Sequence, residues 1–66
     1  MITVSADVLE GLEAVRESGL TNMLDRPVVT QIAYNMGFIE TAGWILENPK
    51  EYARGVFFGF TTKETA

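Results

Sequence analysis

Apolar residues recur along this chain at helical rather than alternating spacing. Between Ser5 and Ser18, Val8, Leu9, Leu12 and Val15 follow the helical period, while Asp7, Glu10, Glu13 and Glu17 take other faces, the pattern of an amphipathic first helix. Ser5 suits the cap at its start. Gly19-Leu20 suits its end, with glycine in the left-handed conformation and an apolar residue just beyond. The chain then turns through Thr21-Asn22-Met23-Leu24.

Asp25-Arg26-Pro27 opens a second helix that runs to about Met36. Its apolar side is Val29, Ile32, Ala33 and Met36, and Gly37 stops it. Phe38, Ala42, Ile45 and Leu46 again fit the helical period and predict a third helix over 38–47. Gly43 weakens that helix by up to about 1 kcal/mol relative to alanine, which points to a close backbone approach there. Asn48-Pro49-Lys50-Glu51 specifies a further start, with Asn as cap, Pro at the first helical position and Glu at the third. The resulting last helix, 49–60, carries Tyr52, Val56, Phe57, Phe58 and Phe60, more apolar surface than one face of a short helix buries. The surplus points at a partner.

The expected fold is therefore all-α: one small domain, a compact array of four short helices (about 5–18, 26–36, 38–47 and 49–60) with a helix-turn-helix-like central pair. Residues 1–4 and 62–66 are expected to fray. Met1 to Val4 could instead form a short strand, although no pairing partner is evident.

A 66-residue chain hides only about 60% of the surface its unfolded form exposes, so it is marginal without support. Cysteine and histidine are both absent, which removes disulfides and the usual zinc ligand sets. Oligomerisation is the support left, and a homodimer is expected. Nine acidic against five basic residues give a net charge of −4, the wrong sign for neutralising phosphates, so nucleic acid is disfavoured as a partner. The N-terminus lacks a basic start with an apolar run, and no apolar stretch approaches the roughly 20 residues needed to span a bilayer. The chain reads as cytoplasmic, with no membrane role.

Candidate chemistry is sparse. Without His or Cys, the possible nucleophiles and bases are carboxylates, Lys50, Lys63 and hydroxyls, and no arrangement of them stands out. The glycines are scattered singly, unlike a phosphate loop. The expectation is a protein that is not an enzyme, with no cofactor, metal or small-molecule substrate. The frame from Val29 to Glu47 suits a helix-turn-helix, yet its second helix brings two acids and no basic residue to a DNA reader's task. Tyr34, Trp44 and Phe58 fall away from the apolar stripes of their own helices and have the composition of interface anchors. Gly55 and Gly59, four apart, would let a partner helix come close beside Tyr52 and Phe58.

The run Ala14-Val15-Arg16-Glu17-Ser18-Gly19-Leu20-Thr21-Asn22-Met23-Leu24-Asp25, with Ile32-Ala33, Met36-Gly37-Phe38 and Lys50-Glu51-Tyr52, resembles a family of small uncharacterised proteins of phages and prophages of Gram-positive bacteria. Its most specific piece is Thr21 to Asp25, which joins the first two helices. The chain departs from the family pattern at Pro27 and in Thr41-Ala42-Gly43-Trp44. The family has no assigned activity, so the resemblance implies a setting, the cytoplasm of a bacterial host, and not a mechanism.

Together these readings predict a phage-type protein–protein interaction module, self-associating through Tyr52, Gly55, Phe58 and Gly59 and modulating or inhibiting a host or phage protein. Its most specific form is an antagonist of a bacterial defence system, of the anti-CRISPR kind. The acidic face of Asp7, Glu10, Glu13 and Glu17, the Thr21-Asn22 turn, and Tyr34 and Trp44 are the candidate partner contacts. Thr21 and Asn22 are read first as capping residues of that turn. The alternatives are a helix-turn-helix DNA-binding regulator and an assembly component of the phage.

Overall fold

The structure, a computed structural model, describes residues 1–63. Its elements run β1 (Ile2–Val4), α1 (Ala6–Ser18), α2 (Arg26–Asn35), α3 (Ile39–Glu47), α4 (Pro49–Phe58) and β2 (Phe60–Thr62). Four helices dominate, as the periodicity predicts.

The local signals act at three of the helix ends much as their chemistry requires. The Val8 N–H donates to Ser5 Oγ at 3.2 Å, capping α1. At its other end Gly19 sits at φ 65°, and its N–H donates to the Arg16 carbonyl. The Leu20 N–H reaches back through the Ser18 hydroxyl, which itself donates to the Val15 carbonyl at 2.6 Å, so a side chain completes the helix end. After α2, Gly37 N–H donates to Tyr34 O and Phe38 N–H to Ala33 O, the paired bonds of a Schellman ending that turns the chain into α3. That turn makes the central helix pair.

Asn48 behaves differently from expectation. It stands immediately before α4, yet its side chain makes no capping bond to that helix; Nδ2 donates backwards to the Trp44 carbonyl at 3.0 Å and finishes α3. The boundary is where the sequence puts it, and the polar group serves the preceding helix.

Two expectations are corrected at the chain ends. Residues 2–4 are not frayed: they pair in parallel with β2, in the register Ile2 with Phe60, Thr3 with Thr61 and Val4 with Thr62. Correspondingly, α4 stops at Phe58 instead of reaching residue 60. Gly59, at φ 97° and ψ 157°, takes a backbone conformation that side-chain-bearing residues rarely adopt, and it swings the chain out of the helix and into β2. Of the tail expected to fray, 62 and 63 are described, Thr62 in β2, and residues 64–66 lie outside the described residues.

The core gathers Val4 from β1, Val8, Leu12 and Val15 from α1, Val29 and Ala33 from α2, Ala42 and Ile45 from α3, and Tyr52 from α4. Ile2, Leu9, Met23, Ile32, Phe38, Trp44, Val56 and Phe60 pack around it, partly buried. Two residues assigned by periodicity to the inner faces lie outside instead: Met36 and Leu46 are exposed. In α3, Ile45 occupies the core position, and its neighbour Leu46 is a further 100° round the helix, which turns it outward.

The close helix approach is also displaced from where the sequence suggests it. A Cβ on Gly43 would meet nothing within 4 Å. Gly11 is the glycine that lets two helices touch, because a Cβ there would overlap the Thr41 hydroxyl and stand 2.7 Å from Thr41 Cβ. Thr41 is fully buried, and its hydroxyl donates to the Val8 and Asp7 carbonyls of α1 at 3.2 and 3.3 Å. Sequence singles out the wrong glycine because chain position does not say which helix face meets a neighbour.

Candidate interaction surface

Tyr52 anchors α4 on the rest of the molecule. Its ring is buried, and its hydroxyl donates to the Met23 carbonyl in the α1–α2 connection. Burial pushes its pKa up to about 12, because the phenolate would lose hydration that the neutral phenol does not need. Gly55, one turn on, lies beneath the Phe60 ring: a Cβ there would overlap Cε1 and Cζ of that ring. Phe60 in turn meets Trp44 edge-on, with centroids 6.0 Å apart and planes at 80°, and lies tilted against Tyr52 at 6.0 Å. The inner side of α4 is thus filled by the chain's own residues. Of the residues expected to mediate self-association, Tyr52 and Gly55 are core contacts, and Gly59 is a turn whose missing Cβ would lie 3.0 Å from the Met1 Cε methyl.

Phe58 remains available. It is 72% exposed, and Phe57 beside it is 68% exposed. Of the three off-face aromatics, Phe58 and Tyr34 point to solvent, whereas Trp44 is half-buried against Phe60. Sequence reading places Phe57 in the apolar surplus of the last helix and leaves it out of the candidate contacts. Ile39 and Leu46 were also missed as surface residues: they stand seven apart on the outward side of α3, with Gly43 between them. The available signal was the pair Ile45-Leu46, two adjacent apolar residues that one helix face cannot both bury.

The acidic residues of α1 are all exposed, and their spacing of three, three and four residues sets them along one side of the helix. Asp7 and Glu10 border an open cleft with Phe38, Ile39 and Glu40, at the edge where α1 meets α3. Glu13 borders another recess, of about 130 Å³, beside Arg16, Leu9, Met23, Val56 and Phe60. In the turn, Thr21 is half-buried, and Asn22 Oδ1 accepts the Leu24 N–H at 2.8 Å while its carbonyl accepts the Asp25 N–H, an Asx turn that occupies the side chain locally. Among the described residues, no group of three or more acidic side chains could hold a metal ion, and no helix is long and apolar enough to cross a membrane.

These features define a small, mostly helical domain whose buried polar side-chain atoms, among the described residues, are hydrogen-bonded, and whose large apolar side chains divide between a core and exposed positions on α2, α3, α4 and the connections. The chain belongs to a family described as a domain of unknown function (DUF5049), whose model matches residues 5–60. No curated protein and no solved structure matches it.

Proposed function

We propose that this chain is a non-enzymatic protein–protein interaction module that self-associates through the outer face of α4 and binds a host or phage protein. The observation that carries this reading is the pair Phe57 and Phe58, both more than two-thirds exposed on a helix whose inner face is already filled by Tyr52, Gly55 and Phe60. Two adjacent exposed phenylalanines in a chain this small are the kind of rigid, low-entropy anchor that interfaces use. Tyr34 on α2, Met36 just past its end, and Ile39 and Leu46 on α3 are further exposed apolar side chains.

The electrostatics favour a protein partner over DNA. The second helix of the central pair, α3, turns Ile39 and Leu46 outward together with Glu40 and Glu47, and it carries no Lys or Arg to reach phosphates or base edges. In its most specific form the module is a phage antagonist of a bacterial defence protein, with the exposed carboxylates of α1 facing a basic surface.

Affinity capture from a bacterial lysate tests this, using the wild-type chain, a Phe57→Ala/Phe58→Ala variant and a Glu10→Lys/Glu13→Lys/Glu17→Lys variant. A protein retained by wild type and lost with one of these variants supports the reading. Capture of nothing specific by the wild type, combined with a monomeric mass at all concentrations, overturns it.

A further inference from the structure

We infer that the surface receiving α4 of one copy is the outward face of α3 on a second copy, an acid-rimmed apolar stripe meeting a basic aromatic one. The inference rests on the reading of the chain as a self-associating module. On α4, Lys50, Arg54 and Phe57 fall at i, i+4 and i+7, so they share one exposed face, bordered by Phe58. Lys50 and Arg54 are two of only five basic residues in the chain. The single acid of α4, Glu51, lies 100° round the helix from Lys50, at the same edge of the face as Phe58 and one turn from Arg54.

The complement is found on α3 and not on its neighbours. Ile39, Gly43 and Leu46 fall at i, i+4 and i+7, with Ile39 56% and Leu46 60% exposed, and Glu40 and Glu47 run alongside them, also exposed. Nothing lies within 4 Å of where a Gly43 side chain would begin, so the surface between the two apolar residues is open. Helix α1 has more carboxylates, but its exposed positions hold no large apolar residue to cover Phe57. Helix α2 exposes Val28 and Tyr34, with Met36 just past its end, but carries no carboxylate. Of the four helices, α3 is the one that carries no Lys or Arg, and it sets exposed carboxylates beside exposed apolar side chains.

Because donor and acceptor are different surfaces, the contact closes as a pair only if both copies use it at once, and otherwise it continues into a chain of copies. One helix laid on another buries less than the roughly 1,200–2,000 Å² of a stable interface, so the association is concentration-dependent and weakens with salt.

Charge exchange tests this. Light scattering after size exclusion is run on the wild type, on Glu40→Lys/Glu47→Lys, on Lys50→Glu/Arg54→Glu, and on an equimolar mixture of the two variants, with circular dichroism confirming that each retains its helices. The expected result is self-association of the wild type, a shift of at least about tenfold in the concentration required by either variant alone, and recovery in the mixture, where reversed faces meet. Wild-type behaviour of the Glu40→Lys/Glu47→Lys variant would overturn the α3 assignment. The interaction-module reading would survive that result if Phe57→Ala/Phe58→Ala still dissociated the protein. A wild-type chain that is monomeric throughout would overturn the self-contact itself.

Discussion

The Thr41 hydroxyl lies over the bare Cα of Gly11, and this pair sets how closely α1 and α3 approach. The hydroxyl reaches the Val8 and Asp7 carbonyls of α1 only because no Cβ stands between them. Gly11→Ala would drive a methyl into Thr41 and against Phe38 Cβ, 3.0 Å away. The backbone would have to shift, at a cost of about 1–3 kcal/mol, read as a lower denaturant midpoint. Gly11→Ala combined with Thr41→Ala should recover only part of that loss, because Thr41 Cβ itself is 2.7 Å from the added methyl.

Gly43→Ala should do the reverse. Its site is an open helix interior, so alanine relieves backbone entropy without a clash and should raise stability by about 0.5–1 kcal/mol. Thermal melts at high dilution, where one chain is observed alone, check this. For a domain of this size, 1 kcal/mol moves Tm by roughly 4–8 °C.

Tyr52 makes stability depend on alkaline pH. Its folded-state pKa is raised from 10 to about 12, so the stability linked to it is fully present below pH 10 and is lost as pH rises toward 12. Tyr52→Phe should lose about 1–2 kcal/mol at neutral pH, since the Met23 carbonyl loses its donor. It should also flatten the decline between pH 10 and 12. Denaturant midpoints of wild type and variant, compared from pH 8 to 12, check both; parallel curves would contradict the assignment.

Gly55→Ala should displace Phe60. The added methyl would overlap two ring atoms and lie 2.6 Å from Cδ1. The ring belongs to β2 and touches Trp44, so its expulsion should loosen the β1–β2 pairing and change the environment of the only tryptophan. A shift in Trp44 fluorescence, with helical circular dichroism little changed, is the expected result.

How much of this was legible in the chain depended on the range of the interaction. Ser5, Gly19, Gly37 and Pro49 mark helix ends by bonds or dihedrals within a few residues, and those ends stand where the residues put them. The β1–β2 pair was not legible, because its two three-residue strands join opposite ends of the chain and neither carries an alternating pattern long enough to register. Phe60 fits the period of the last helix as well as Val56 does, and only Gly59 hints that it leaves. Nor does periodicity rank the apolar residues of α4: it names Tyr52 and Phe58 alike, while packing puts one in the core and the other in solvent. The candidate surface was therefore half legible, with Tyr34 and Phe58 foreseen, and Phe57, Ile39 and Leu46 supplied by the structure.

The solution mass of the wild type beside Phe57→Ala/Phe58→Ala, by light scattering over a dilution series, tests the central claim most directly. Because both rings are more than two-thirds exposed, their removal should leave the melting temperature within a few degrees while shifting a concentration-dependent oligomer to a monomer. A variant that keeps the wild-type mass at every concentration, or one that unfolds, would contradict the claim that these two side chains are an interface and not part of the fold.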